Sequence, residues 1–142
     1  MNLQDLLTLP GASLDAAIAV TGADPGTRES VRGYESLKRV DAMEAPDGTT
    51  IYIRGDDVQL VYVGEDALPA GVSHDALVAV AGSEGERLRS RQGKKARMHV
   101  VADRGIAWSE ERGEVGFVEL FPPTTLADYQ RTIYREPMPF RR

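Results

Sequence analysis

Residues 9–22 read LPGASLDAAIAVTG, and residues 68–82 read LPAGVSHDALVAVAG. In each segment a serine precedes a run of helix-forming residues, and a glycine follows the run. A serine side chain caps a helix by accepting a hydrogen bond from a first-turn N–H, and a terminal glycine permits the positive φ at which many helices end. The spacing therefore predicts two matching helices, Ser13–Gly22 and Ser73–Gly82.

The similarity of these two segments extends along the chain. With numbers shifted by 60, residues 11–42 align with residues 71–102 without a gap, and eleven positions are identical. The identical pairs are Gly11/Gly71, Ser13/Ser73, Asp15/Asp75, Ala16/Ala76, Ala19/Ala79, Val20/Val80, Gly22/Gly82, Ser30/Ser90, Gly33/Gly93, Val40/Val100 and Ala42/Ala102. Further downstream a shift of 57 pairs Gly48 with Gly105, Val58 with Val115 and Val61 with Val118. Self-similarity at a fixed period indicates a repeated unit, so the sequence predicts a tandem duplication.

After each helix the apolar period changes to two, as in half-buried strands. The predicted strands are Tyr34–Ala42, Thr49–Arg54 and Val58–Val63 in the first copy, and Lys94–Ala102, Ile106–Glu110 and Val115–Leu120 in the second. Additional leading strands are predicted at 27–32 and 87–92, with turns at Gly33 and Gly93. The predicted inward positions are Ile51, Ile53 and Leu60 in the first copy, and Ile106, Trp108 and Phe117 in the second. Short connections between these strands predict antiparallel meanders.

The predicted fold class is α+β, with two tandem helix-plus-antiparallel-meander repeats. They form one curved sheet with helices on one face, plus a C-terminal helix. Residues 1–67 are the first repeat unit, which includes a short N-terminal helix behind Asn2. Residues 68–123 are the second unit, and residues 124–142 are a C-terminal helix capped by Thr125 and a tail that contains Phe140 and two arginines.

The starts of both units resemble those of a known group of proteins. Leu9–Gly22 and Leu68–Gly82 are similar to the SmpA/OmlA (BamE) lipoproteins and to the β-lactamase-inhibitor-protein family, which carries two such units in tandem. The resemblance implies two helix-plus-sheet units whose strands form one curved sheet. It also implies that this sheet grips another macromolecule.

Composition narrows the range of functions. The chain has 142 residues, a net charge of −5 and no cysteine, which excludes a disulfide framework and thiolate chemistry. Residues 1–67 hold 5 basic and 12 acidic side chains, whereas residues 68–142 hold 12 and 10. Neither a membrane span nor a signal segment is recognisable, so we expect a cytoplasmic protein with no membrane partner and no cofactor.

Two surfaces are candidate binding sites. Outward strand positions carry Tyr and Arg, residue types that dominate interface energetics, and these positions predict a partner-binding face. Its predicted members are Arg39, Tyr52, Arg54, Arg97 and His99. The second surface is a basic stretch, residues 87–97, with Arg87, Arg89, Arg91, Lys94 and Lys95. It suits phosphates or an acidic protein surface, although it lacks aromatic residues for base stacking and the acidic chain would repel a polyanion.

Catalytic chemistry has little support in the sequence. His74 and His99 could join Asp75 or Asp103 around a metal, but their spacing matches no metal motif, and ordinary surface roles are favoured. The carboxylates Asp56, Asp57, Glu110, Glu111 and Glu114 are interpreted as solvated hairpin ends.

The leading hypothesis is a non-enzymatic inhibitor, immunity-type or adaptor protein that binds another protein through the outward sheet face. The alternatives are a small-molecule or weakly enzymatic pocket between the repeats, lined by His99, Asp103 and Trp108, and binding of nucleic acid or an acidic partner through residues 87–97.

Overall fold

The computed structural model describes residues 1–138, so the predicted tail residues Pro139, Phe140, Arg141 and Arg142 lie outside the described residues. The helices are α1 (Leu3–Leu6), α2 (Leu14–Thr21), α3 (His74–Ala81) and α4 (Leu126–Thr132). The strands are β1 (Asp24–Tyr34), β2 (Leu37–Glu44), β3 (Thr50–Arg54), β4 (Asp57–Gly64), β5 (Glu86–Arg89), β6 (Arg97–Val101), β7 (Ile106–Glu111) and β8 (Glu114–Leu120). Within this part of the chain, no helix combines the length and the apolarity that a membrane crossing requires.

The predicted helices α2 and α3 are confirmed together with their caps. Ser13 Oγ accepts a hydrogen bond from the Ala16 N–H at 3.2 Å, and Ser73 Oγ accepts one from the Ala76 N–H at the same distance. Gly22 and Gly82 end the two helices at φ values of 75° and 77°. The predicted caps of α1 and α4, at Asn2 and Thr125, are also present.

The strands form a single open sheet of the predicted α+β class. Its order is β1-β2-β3-β4-β8-β7-β6-β5, and all neighbouring strands are antiparallel. The first four strands and the last four meet at the β4–β8 pair, where Val61 lies opposite Leu120. The β3–β4 and β7–β8 pairs have register shifts at Tyr52/Ile53 and at Ser109/Glu110, positions that are also separated by 57 residues. Each edge of the sheet is thus the first strand after a helix.

The turn predicted at Gly33 is wrong. β1 continues through Gly33 to Tyr34, and the chain reverses at Glu35 and Ser36, with Glu35 at a φ of 51°. A Cβ at Gly33 would lie 1.9 Å from the Leu37 carbonyl oxygen, so glycine is needed there for close backbone approach instead of for the turn. The predicted strand 87–92 is also incorrect at its end, because β5 stops at Arg89 and a loop leads to β6.

Both faces of the sheet have an apolar core. Ile51, Ile53, Ile106 and Trp108 pack beneath α1, α2 and α3 as predicted for inward positions. Leu60 and Phe117, predicted in that same core, are buried on the opposite face. The register shifts explain this error, because an extra residue in one strand reverses which face the following side chains occupy.

The face opposite α1, α2 and α3 is partly covered by α4 and the segment that follows it. Its core contains Tyr34, Leu37, Val40, Leu60, Met98, Val100, Ala102, Ala107, Phe117, Phe121, Tyr129, Ile133 and Tyr134. We call this side the α4 face and the other side the helix-pair face. A large open sheet surface is therefore not present over β6, β7 and β8, and exposed side chains on the α4 face concentrate toward β1, β2 and β3.

Candidate functional site

The five side chains predicted to form one outward surface are divided between the two faces. Tyr52 and Arg54 lie on the α4 face of β3, with Tyr52 half-buried and Arg54 exposed. His99 is only 2% exposed and stacks on Trp108 in the helix-pair core, so its predicted outward position is wrong. Arg97 is exposed and precedes His99 by two residues on the same face of β6, whereas Arg39 is exposed at an irregular point of β2 with a φ of 57°.

The α4 face contains a cleft between the β1–β2 turn, the ends of β3 and β4, and α4. Its volume is about 430 Å³, and we call it the basic cleft. The lining residues are Ser36, Leu37, Lys38, Arg54, Gln59, Phe121, Pro122, Pro123, Thr124, Arg131, Thr132 and Ile133. The charged side chains in this lining are all cationic, and apolar residues form much of the remainder. The cleft therefore combines positive charge with apolar contact area.

Arg54 is held in the basic cleft by neutral acceptors. Its Nη2 donates to the Lys38 carbonyl oxygen at 2.6 Å, and its Nη1 donates to Gln59 Oε1 at 3.2 Å. In residues 1–138 no carboxylate lies within ion-pairing distance of Arg54 or of the Lys38 ammonium group. Arg131 does pair with Asp128 at 2.6 Å, on the exposed surface of α4. In the described residues Arg54 is thus held in place, and Lys38 is exposed beside it, with neither side chain in an ion pair.

Tyr52 forms part of a neighbouring groove between β1, β2 and β3. This groove has a volume of about 590 Å³, and its charged lining residues are Arg28, Glu29, Arg32 and Glu44. Arg28 pairs with Asp41 at 2.9 Å, so the groove has no excess of free positive charge. The Tyr52 ring lies 5.4 Å from the Tyr34 ring, centroid to centroid. Burial, with a smaller effect of Tyr62, raises the pKa of the Tyr52 phenol, so the hydroxyl is protonated near neutral pH. Tyr52 and Arg54 share the α4 face, so the groove and the basic cleft open on the same side of β3.

The basic stretch does not form the row of cations that the sequence suggests. Arg87 pairs with Glu84 at 3.7 Å, and Arg89 pairs with Glu136 at 3.2 Å. Arg91 lies in the loop after β5 and pairs with Glu35 at 3.1 Å. Lys94 and Lys95 are exposed in the same loop. Each of the three arginines therefore has a carboxylate beside it, which weakens the local positive field.

A buried carboxyl group on β8 connects distant parts of the α4 face. Glu119 is 2% exposed, and it accepts hydrogen bonds from the hydroxyls of Tyr34 and Tyr129, the latter at 2.5 Å. Arg91 donates to the Tyr34 hydroxyl at 2.8 Å and lies 4.2 Å from the centre of the Phe117 ring. Burial raises the pKa of Glu119, although the two tyrosine hydrogen bonds and Arg91 oppose this effect.

This arrangement joins the tip of β1 to β8, α4 and the β5–β6 loop. The space beside it is about 10 Å³, which is at the lower limit for a single water molecule. A ligand of any size therefore has no room at Glu119. We interpret these contacts as a structural hydrogen-bond network that holds the elements of the α4 face together.

A second polar group, the histidine cluster, lies on the helix-pair face and consists of His74, Glu84, His99, Trp108 and Glu110. The rings of His74 and His99 are 4.4 Å apart, and the His99 and Trp108 rings are stacked at 5.5 Å. Trp108 Nε1 donates to His74 Nδ1 at 3.1 Å, and His99 Nε2 lies 2.9 Å from Glu110 Oε1. Because the rings are in direct contact, they leave no pocket of the kind predicted between them.

The other members predicted for this region lie elsewhere. Asp103 is exposed in an open cleft beside Arg104 and Thr125, and the lining of this cleft does not include His99 or Trp108. Partial burial disfavours the charged form of Glu110, but the Gly113 N–H and the two histidines favour it. The pKa of Glu110 consequently lies below its ordinary value. The structure thus brings both histidines together with a carboxylate that the sequence interpretation had assigned to a hairpin end.

Comparison of the chain with protein-family models, with curated proteins and with solved structures gives no match in any of the three. The site must therefore be interpreted from its own geometry. Sequence reasoning identified Arg54 but missed Lys38 and Arg131 of the basic cleft. α4 begins 72 residues after the end of β3 (54 to 126), and no local pattern indicates that it brings Arg131 to the same cleft.

Proposed function

We propose that this chain is a non-enzymatic protein-binding module that holds an acidic segment of a partner protein in the basic cleft. The observation that carries the proposal is the unneutralised charge of Arg54 and Lys38 in a protein whose net charge is −5. A guanidinium fixed by neutral acceptors keeps its charge while losing little further freedom on binding. Arginine held in this way is well suited to a carboxylate, which it can bind through two hydrogen bonds.

The remainder of the cleft favours a polypeptide partner. Leu37, Phe121 and Ile133 supply apolar area beside the cations. Tyr52 extends the same face toward β1, and tyrosine is frequent in the energetically important parts of protein interfaces. An acidic segment with one or two apolar side chains would therefore match the basic cleft, with Tyr52 as a neighbouring contact.

The arrangement of the two halves supports an origin by duplication as part of this proposal. Each half contains a capped helix followed by four strands, and the register shifts occur at corresponding positions. An inhibitor or adaptor of the SmpA/OmlA-like or β-lactamase-inhibitor-like kind would use such a tandem sheet to grip its target. A protein of this kind is expected to have no enzymatic activity.

A small anionic molecule is the second candidate ligand for the basic cleft. Its volume of about 430 Å³ falls in the range typical of small-molecule sites, roughly 300–1,000 Å³. This alternative uses the same cations but does not need Tyr52 or the β1 groove.

The experiment captures partners from a lysate of the source organism on immobilised wild-type protein, on three test variants and on one control variant. Arg54→Glu and Arg131→Glu reverse charges in the basic cleft, and Tyr52→Ala changes the groove. Arg87→Glu is the matched control, because Arg87 has the same charge, lies outside the cleft and has a side chain that is 57% exposed. We expect an acidic protein that is recovered by wild type and by Arg87→Glu and is lost with Arg54→Glu.

The recovered protein is then made pure, and its affinity for each variant is measured at two salt concentrations. We expect Arg54→Glu and Arg131→Glu to weaken binding by at least about tenfold, and the wild-type affinity to fall with salt. Loss of binding with Arg87→Glu alone would move the site to residues 87–97. Equal binding by all variants would disprove the proposal, and binding that Tyr52→Ala leaves unchanged would confine the contact to the cleft.

A further inference from the structure

Both histidines of the chain and its single tryptophan meet in one place, beneath the first turn of α3. His74 begins α3, His99 lies in the middle of β6, and Glu110 lies near the end of β7. One nitrogen or oxygen atom from each of these three residues can be chosen so that all lie within 4.8 Å of one another. Three elements that are distant in sequence thus direct potential metal ligands at one point.

His99 is already oriented as a ligand. Its Nδ1 lies 3.1 Å from the Glu84 carbonyl oxygen, which can only accept, so Nδ1 carries a proton. Its Nε2 faces Glu110 Oε1 at 2.9 Å. Metal-binding histidines usually have this arrangement, with one ring N–H donated to a carbonyl or carboxylate and the other nitrogen directed at the ion.

Glu110 is oriented in the same way. Its Oε2 accepts a hydrogen bond from the Gly113 N–H at 2.8 Å, which leaves Oε1 directed at His99. The Glu110 side chain is 12% exposed, and the His99 side chain is 2% exposed. Two ligand atoms are thus fixed by groups behind them and shielded from most of the solvent.

His74 provides the third ligand atom, and its contact with Trp108 gives a way to observe metal binding. Its Nδ1 accepts the Trp108 N–H at 3.1 Å, and its Nε2 lies 3.3 Å from Glu84 Oε1. An ion bound by His74 must displace one of these two partners. The fluorescence of Trp108, which also stacks on His99, would therefore change when the site fills.

The fold itself does not require this polar group. In the first half of the chain, Leu14 begins the corresponding helix, and Ile51 and Ile53 occupy the strand positions that match Trp108 and Glu110 under the shift of 57. Ile51 and Ile53 are completely buried in the apolar core. Met43, which is also buried, lies opposite Ile51 as His99 lies opposite Trp108. Apolar side chains thus build the same architecture there, so the histidines and the carboxylate are not needed to form it.

We propose that His74, His99 and Glu110 bind a divalent transition-metal ion of the Zn²⁺ type. Two imidazoles and one carboxylate are the ligands that Zn²⁺ and its neighbours prefer, whereas Mg²⁺ and Ca²⁺ prefer oxygen ligands alone. A water molecule completes four-coordination. This site is separate from the basic cleft, which lies on the other face of the sheet.

The test titrates Zn²⁺ into the full-length chain, from which any oligohistidine tag has been removed. Binding is followed by Trp108 fluorescence and by calorimetry, with Mg²⁺ in a parallel titration. We expect saturable binding of one Zn²⁺ per chain with a change in fluorescence, and no change with Mg²⁺. His74→Leu, which installs the residue of the first half, and Glu110→Gln are each expected to weaken Zn²⁺ binding by at least about tenfold.

The matched control is Asp75→Asn, which removes an exposed carboxylate next to His74 that lies outside the cluster. Its Zn²⁺ affinity is expected to equal that of wild type. Circular dichroism shows whether each variant is folded. Because His74 and Glu110 lie on different elements, the test can still be completed if one of the two variants does not fold. Absence of Zn²⁺ binding by folded wild type, or equal affinity in wild type, His74→Leu and Glu110→Gln, would overturn the proposal.

Discussion

The helix-pair core is aliphatic beneath α2 and polar beneath α3. Under α2 the relevant side chains are Leu14, Ile51 and Ile53, and under α3 the corresponding ones are His74, Trp108 and Glu110. The helices have equal lengths and equivalent caps, and the strands have register shifts at corresponding points. The backbone therefore tolerates two different solutions for the same space.

This difference separates what the architecture needs from what is particular to the second half. Apolar burial alone suffices beneath α2, because the hydrophobic effect is not directional and any well-packed aliphatic set can supply it. Beneath α3 each polar atom must have a hydrogen-bond partner, which constrains several residues together. His74, His99, Trp108 and Glu110 meet this condition, whereas in residues 1–138 Thr49 Oγ1, in the first half, is the buried side-chain oxygen without a partner.

The largest expected effect comes from truncating the centre of each core. Trp108→Ala should lower the free energy of unfolding by about 3–5 kcal/mol, and Ile51→Ala by about 2–5 kcal/mol. Trp108 should have the larger effect, because its loss also removes the hydrogen bond to His74 and the stacking on His99. Urea denaturation followed by circular dichroism measures both values.

Trp108→Phe serves as the control for ring size, since it keeps an aromatic ring and removes the N–H group. We expect its effect to lie between those of wild type and Trp108→Ala. If Ile51→Ala lowered the free energy of unfolding more than Trp108→Ala, the polar contacts beneath α3 would contribute little to stability. The difference between the two cores would then have no measurable effect on the free energy of unfolding.

The next effect concerns the α4 face, where Glu119 corresponds to Tyr62 of the first half under the shift of 57. Glu119→Gln should destabilise the protein by about 1–3 kcal/mol in mild acid, because each oxygen of the protonated carboxyl can accept from a tyrosine hydroxyl, whereas the glutamine NH2 group cannot accept at the second position. A carboxyl whose pKa is raised by folding stabilises the fold at low pH and loses that contribution as the pH rises through its folded value. The advantage of wild type over Glu119→Gln should therefore shrink above pH 4.5, the ordinary value of the group.

For Glu110→Gln we expect the opposite pH dependence of the stability difference from wild type. The pKa of Glu110 is lowered by folding, so its contribution is present above pH 4.5 and is lost as the pH falls through the folded value. Free energies of unfolding measured across this range for wild type and both variants would show the two trends. Parallel pH profiles for wild type and Glu119→Gln would contradict the effect of burial on Glu119.

Local signals in the sequence were sufficient for much of the fold. The serine caps, the glycine terminators and the change of apolar period each depend on neighbouring residues, so they located α2, α3 and the hairpins. The assignment of Leu60 and Phe117 failed because a register shift reverses the face of a side chain without leaving a local mark. The turn at Glu35 was missed because a non-glycine residue adopts a positive φ there.

The candidate sites were less predictable, because they depend on contacts between distant elements. His74 and His99 are separated by 25 positions, and only the packing of α3 on β6 and β7 brings them to Glu110. The basic cleft likewise requires α4 to return across the sheet toward Arg54. The basic run at 87–97 was visible in the sequence, but its arginines are paired with carboxylates from three other segments of the chain.

The smallest expected effect tests whether the two halves are equivalent outside their cores. Ser13→Ala and Ser73→Ala each remove one cap with the same 3.2 Å hydrogen bond, so each should destabilise the protein by about 1 kcal/mol. Equal losses in urea denaturation would mean that α2 and α3 unfold in one cooperative transition with the whole sheet. A much smaller loss of stability for one serine variant would indicate that the helix it caps already frays in the native state. The aliphatic core beneath α2 and the polar core beneath α3 would then differ in local stability as well as in their side chains.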